Sequence, residues 1–380
     1  MKKYLIYSFK RKLPLFVILF VLFLTFALVS ANNFDFVRVV YEGGHYYYDS
    51  DGGFLGLLIA LFITMTFLPL FGMNYRYSLS KSDTFRQVAF KDKHIRYREH
   101  LLNLIITLVL FSISFLALVL ILMARNAAAV LPQQVQPEIS YELIKFNYIY
   151  YLPLYFAIIA LAILHYFICY LLISRSNNLL NSLIILSLGQ CALGLFILLP
   201  VSFFIDYSIG VNALYSNASI FFPISYLYSQ FNPLIVRGAN TFADIFSPVD
   251  DAGVAKEICF IIGFASFVII SLLGVASFIL EKDPSGEWAN KPKSDKLYQE
   301  IIYHVSFGLI GSVIGVALVN AGIIWYLLFF ILFSSTYYTL YGLLNRNFAL
   351  KPKQIITLGS VTLLAILISV IYFIIYNNAK

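Results

Sequence analysis

The chain has 380 residues, 61% hydrophobic and only 12% charged, with a formal net charge of +7. Soluble domains carry about 25% charged residues, so the apolar surface is expected to face lipid rather than an aqueous core. The basic balance would suit nucleic acid, but its distribution along the chain argues for membrane topology instead.

A helix needs about 20 apolar residues to cross a bilayer. Nine runs qualify as predicted spans: 13–30, 54–73, 101–123, 148–173, 179–204, 257–280, 301–319, 322–344 and 355–376. The predicted fold is therefore an all-α, polytopic membrane bundle forming a single transmembrane domain, 1–380. The first run exceeds the 7–15 residues of a signal-peptide core, and no clear small-x-small site follows it. The segment 31–53 that comes next is rich in Tyr and acidic residues (Tyr41, Tyr46, Tyr47, Tyr48, Asp35, Glu42, Asp49, Asp51).

Between the second and third spans lies 74–100, which is 27 residues long and carries seven Lys/Arg. Within it Phe85, Val88 and Ala89 fall at i, i+3 and i+4, surrounded by Asp83, Arg86, Lys91 and further charges. Asp83 suits the first turn of a helix. The pattern predicts a short amphipathic helix, and on the residues alone a headgroup-binding loop fits as well.

The fourth span holds His165 and the fifth Gln190. A hydrogen bond to a neighbouring helix is the simpler role for each; a proton relay or substrate contact is the alternative for His165. A long segment, 205–256, punctuated by Pro and aromatic residues, follows. After the sixth span comes the charged loop 281–300. In the seventh span Gly308, Gly311 and Gly315 recur at spacings of three and four, a pattern of close helix approach. A tight turn, 319–322, leads into the eighth. Were 301–319 re-entrant, the count would fall to eight. The cysteines, Cys169, Cys191 and Cys259, all lie in apolar runs and read as small buried hydrophobes.

With the N-terminus inside, segments 1–12, 74–100, 174–178, 281–300 and 345–354 are cytoplasmic. They carry 20 of the 26 Lys/Arg but only 8 of the 19 Asp/Glu. This positive-inside bias fixes the orientation and puts the C-terminus of a nine-span chain outside. The chain has no GxxxxGK[ST] loop, no HExxH and no nucleophile elbow. No catalytic residue, cofactor site or metal site is expected. The spans hold almost no ionisable groups, which argues against ion-coupled transport.

The stretch Ser80–His94, SKSDTFRQVAFKDKH, resembles the coupling segment of type-2 ABC exporter permeases. Many members of one Gram-positive branch carry D-x-F/L...L-P-hydrophobic-x-R/K there; Asp83 and Phe85 match, and Val88, Ala89 and Phe90 stand where Leu-Pro-hydrophobic is common. After the sixth span, KDPSGEWANKPK resembles the basic stretch and S-E-x-A/S-G motif of the antibiotic-response and peptide-export branch, through Ser285, Glu287 and Ala289. The simplest members have six spans; this chain reads nine.

The resemblance implies a permease subunit in a bacterial cytoplasmic membrane. Two partner ATPase subunits would bind ATP and Mg, and a second permease, identical or homologous, would complete the route. Asp83, Phe85, Arg86, Val88, Ala89 and Lys91 would form the ATPase-docking contact. Lys282, Glu287, Lys291 and Lys293 would form a second cytoplasmic contact. The expected cargo is hydrophobic or amphipathic: an antimicrobial peptide, a lipid or a drug. Membrane lipids are expected partners; nucleic acid is not. Two other readings compete. A membrane-embedded enzyme acting on lipid-linked substrates would have to draw on Arg237, Asp244, Asp250 and Asp251. A non-catalytic sensor or immunity subunit would need no chemistry at all.

Overall fold

A computed structural model describes residues 2–32, 37–41, 46–47, 55–73, 95–130, 139–143, 149, 151–174, 176, 178–204, 253–280, 296–319, 322–345 and 347–378. Among these residues nine helices form: α1 (Lys2–Asn32), α2 (Leu55–Gly72), α3 (Ile95–Ala128), α4 (Tyr151–Ile173), α5 (Leu179–Phe204), α6 (Gly253–Leu280), α7 (Lys296–Val319), α8 (Ile323–Asn345) and α9 (Pro352–Asn378). Each overlaps one predicted apolar run. Five contain a stretch long and apolar enough to cross a membrane: Phe9–Asn32, Glu99–Ala128, Tyr151–Ile173, Ile323–Asn345 and Pro352–Ile374. Shorter apolar stretches, Gly56–Gly72, Leu179–Ala192, Phe267–Leu280 and Glu300–Val316, occupy the other four.

The helical class expected from the sequence holds, with one small addition outside the helices. Three short strands, β1 (Val37–Tyr41), β2 (Tyr46–Tyr47) and β3 (Ile139–Leu143), form an antiparallel sheet in the order β2-β1-β3. Val37, Val39 and Tyr41 alternate with Arg38 and Val40, and Ile139, Tyr141 and Leu143 alternate with Ser140 and Glu142. Period-two alternation of β-branched and aromatic residues favours strand, and a search for 20-residue apolar runs passes over it.

The chain divides into two compact units. The first comprises Met1–Leu68, Lys93–His165 and Pro223–Val249. Here α1 and α3 pack side by side and run parallel. Lys12 Nζ donates to Glu99 Oε1 (2.5 Å) and Asn103 Oδ1 (3.3 Å) near their starts. Phe23 meets Phe111 edge to face midway, with centroids 5.9 Å apart. Near their ends the Arg125 guanidinium donates to the Ala31 carbonyl, placing a cation at the negative end of α1. On α3, Glu99, Asn103 and Phe111 fall on one i, i+4 stripe, which explains why a single face meets α1 throughout. Because α1 and α3 are parallel, the segments following them emerge at the same end. There β1 and β3 pair, with Val37 opposite Leu143 and Tyr41 opposite Ile139. The starts of α1 and α3 share the opposite end.

The second unit comprises Pro69–Asp92, Tyr166–Phe222 and Asp250–Lys380. The C-terminal part of α4 runs parallel to α6: Phe167 and Tyr170 pack edge-on against Phe278, at 5.6 and 4.9 Å. Gly274 lies so close to α4 that a Cβ there would overlap the Phe167 carbonyl. Asn178 opens α5 as an N-cap, its Oδ1 accepting from Leu180 N at 2.9 Å.

Helices α7 and α8 form an antiparallel hairpin. Tyr303 stacks on Tyr337 at 5.3 Å, Phe307 on Tyr337 at 4.4 Å, and Phe330 lies beside Gly315 near the turn. The turn ends at Gly322, whose φ of 114° lies in the left-handed region open to glycine. Helix α9 then runs parallel to α7, bringing Ala365 beside Gly311 and Ser369 beside Gly315. The predicted glycine stripe is thus a close-approach seam within the unit. Pro352 occupies the first position of α9, where its missing N–H costs nothing. In the core Ile185 and Leu188 of α5 join Tyr303, Phe307, Phe333, Tyr337 and Tyr341.

Candidate functional site

The predicted docking residues Asp83, Phe85, Arg86, Val88, Ala89 and Lys91 lie outside the described residues, as do Lys282, Glu287, Lys291 and Lys293. The structure does define the frame of the first group. Helix α2 ends at Gly72 and α3 begins at Ile95, so the basic segment joins these two helices. One turn into α3, Glu99 receives Lys12 of α1, with side chains only 12% and 18% exposed. Asn103 continues the contact inward and is 3% exposed. The helix leaving the basic segment is therefore tied to α1 by an ion pair and a second hydrogen bond. In the sequence Glu99 reads as one more loop charge; its i, i+4 spacing to Asn103 is the signal that marks it out.

Within the helices the structure places both predicted polar residues. His165 is fully buried, and its Nε2 lies 2.8 Å from Thr66 Oγ1. That hydroxyl also lies 2.8 Å from the Phe62 carbonyl. A hydroxyl has one proton; given to Phe62 O, it leaves a lone pair to accept the Nε2–H of a neutral imidazole. The Phe62 ring stands 5.3 Å from the imidazole. The result ties α2 to α4. Gln190, 1% exposed, donates from Nε2 to Cys169 Sγ at 2.8 Å, tying α5 to α4. Its Oε1 has no partner among the described residues.

A third constellation joins α7, α8 and α9. Tyr341 Oη donates to Glu300 Oε1 (3.1 Å) and accepts from Gln354 Nε2 (3.1 Å). Gln354 Oε1 in turn accepts from Lys351 N at 2.9 Å, the backward reach of a capping box. A continuous chain of hydrogen bonds thus runs from α7 through α8 to the cap of α9, each donor with one acceptor. One turn along, His304 Nδ1 lies 2.5 Å from Tyr337 Oη, and Tyr303 Oη donates to the Tyr337 carbonyl. The His304 ring stacks on Tyr341 at 5.5 Å. The sequence marks His304 only as an isolated histidine. The paired spacings Glu300/His304 and Tyr337/Tyr341, both i, i+4, are the signal that two polar faces can meet.

Chemically, all three constellations are interhelical ties made of neutral hydrogen bonds, apart from Lys12 with Glu99 and the Glu300 carboxylate. Among the described residues no group of three His, Cys, Asp or Glu forms a metal-ligand cluster. No family model matches the sequence, and no curated protein or solved structure matches it either.

Proposed function

We propose that the chain is the membrane-spanning permease subunit of an ATP-driven exporter, with nine spans and the N-terminus in the cytoplasm. Its ATPase is a separate chain that binds ATP and Mg. The observation that carries this reading is the tie between α1 and the start of α3, the helix that follows the basic segment 74–94 in the chain. That segment connects α2 to α3 in sequence, and one turn into α3 the helix is fastened to α1. A push on such a segment reaches two helices rather than one.

Three features support transport without chemistry in this chain. Buried Ser and Thr such as Thr64, Ser271 and Ser369 bond to carbonyls of their own helix, and Asn103, His165 and Gln190 tie helices together. The exposed faces of α1, α8 and α9 are apolar, as in Val17, Val21, Ile331, Leu332, Leu363 and Leu367, which suits a lipid-accessible route for a hydrophobic or amphipathic cargo. The helix pairs α1/α3, α4/α6 and α7/α9 are each parallel and two apart in order, as alternating membrane crossings require. In the working cycle, ATP-driven closure of two ATPase subunits presses on the segment around Phe85 and Val88. The Lys12–Glu99 tie carries the displacement to α1, and a second permease completes the route.

The test is affinity purification of the full chain from its native membrane, followed by identification of associated chains. A nucleotide-binding subunit whose ATP hydrolysis responds to an amphipathic peptide, lipid or drug is the expected result. Recovery without any nucleotide-binding chain would refute the proposal and favour the sensor or immunity reading.

A further inference from the structure

We propose that the first turns of α1 form a binding surface for anionic phospholipid, with Lys10 and Arg11 holding the headgroup beside an apolar stripe that stays in the acyl boundary. The inference rests on the membrane reading of α1 alone and is independent of the ATPase-docking reading.

Helix α1 is 31 residues long, which at 1.5 Å per residue is about 46 Å. The hydrocarbon core needs about 30 Å. The surplus lies at the N-terminal side, where the apolar run gives way to charge. A helix leaving the membrane for water would become polar all round, but this one does not. Ile6, Phe9, Leu13 and Val17 are all exposed and fall at i, i+3, i+7 and i+11. They are one continuous stripe on one helix face. Phe9, Leu13 and Val17 belong to the candidate span Phe9–Asn32, so Ile6 extends the lipid-facing stripe beyond it.

Three consecutive cations interrupt this region, and the structure separates them. Lys12 is turned to the protein side and consumed by Glu99 and Asn103. Lys10 and Arg11 are exposed and have no partner among the described residues. Lys10 is four residues after Ile6 and three before Leu13, so it stands at the edge of the apolar stripe; Arg11 follows 100° further round. Long basic side chains of this kind lay their stems on apolar surface and carry their charge to the headgroup layer. An amphipathic helix with cations flanking an inserted apolar face is the pattern that selects anionic lipid. The apolar half of the surface distinguishes a lipid phosphate from free phosphate, which has no acyl chain to offer it.

The experiment is native mass spectrometry of the full chain, released from micelles doped with equal phosphatidylglycerol and phosphatidylcholine. The wild type should retain phosphatidylglycerol preferentially. K10Q/R11Q should lower that preference roughly ten-fold or more, as expected for two exposed cations at a charged surface. Phe9→Ser should also lower it while leaving both charges. K351Q/K353Q, which removes two exposed cations at the start of α9, should change it less than about two-fold. Inorganic phosphate should not displace the lipid. Equal retention of the two lipids by the wild type would overturn the proposal. So would an equal loss in K351Q/K353Q, which would make the effect one of net charge, or displacement by inorganic phosphate.

Discussion

Replacing Lys12 by Met tests how α3 is held. The Lys12–Glu99 pair is 2.5 Å long with side chains 18% and 12% exposed, nearer a buried pair than a surface one. Exposed pairs contribute about 0–1 kcal/mol. Removing one partner of a buried pair costs about 3–5 kcal/mol, because the remaining charge keeps its desolvation penalty and loses its counterion. Lys12→Met takes the Lys12 counterion from the Glu99 carboxylate and the donor from Asn103 Oδ1, so a loss of about 3 kcal/mol is expected. Glu99→Leu leaves the ammonium its bond to Asn103 Oδ1 and a long stem on which to reach water, and should cost less, about 1–2 kcal/mol. The double change Lys12→Met/Glu99→Leu removes both charges and should return to within about 1 kcal/mol of wild type. The cycle therefore predicts a coupling energy of about 2 kcal/mol or more. Equilibrium unfolding in mixed micelles, followed by helical circular dichroism, measures it. A Lys12→Met cost below about 1 kcal/mol, or a double variant as unstable as the sum of the singles, would refute the reasoning.

Three further outcomes follow from the packing. Tyr341→Phe removes the donor to Glu300 and the acceptor for Gln354 and should cost about 1–3 kcal/mol by the same unfolding assay; Tyr338→Phe, whose hydroxyl reaches only the Phe348 carbonyl from an exposed site, should cost less. Gly274→Leu should prevent α6 from approaching α4 and yield little folded protein on size-exclusion chromatography, whereas Gly359→Leu, with nothing within 4 Å of its Cβ position, should behave as wild type. Arg38→Cys with Glu142→Cys, opposite each other in register, should form a disulfide under mild oxidation, since either kind of antiparallel pair brings Cα atoms to about 4.5–5.5 Å; reduced thiols, read by mobility on a gel, would contradict the β1–β3 pairing.

The helices were legible because lipid imposes a strong signal. Hydrocarbon leaves a crossing chain almost no structure but the helix in which to satisfy its backbone, and each of the nine apolar runs is helical. The sheet was not legible by that criterion: β1 and β3 are five residues each and separated by about a hundred positions, so their pairing exists only through the parallel packing of α1 and α3. The ties at Lys12–Glu99 and Glu300–Tyr341–Gln354 were hidden for a related reason. Each joins residues 13 to 87 positions apart, and charge counting assigns such groups to loops. The glycines of α7 were legible as close-approach positions, yet which helix they approach is set by α9, far along the chain. The docking residues around Phe85 rest on sequence pattern and on the frame that α2 and α3 give them.

The central claim is that an ATPase subunit docks on the segment between α2 and α3. Its most direct test changes Phe85 and Val88 together to Asp in the full chain and measures co-purification with the nucleotide-binding partner. The account predicts that the complex is lost while the permease remains folded and membrane-inserted. Recovery of an undiminished complex would contradict it.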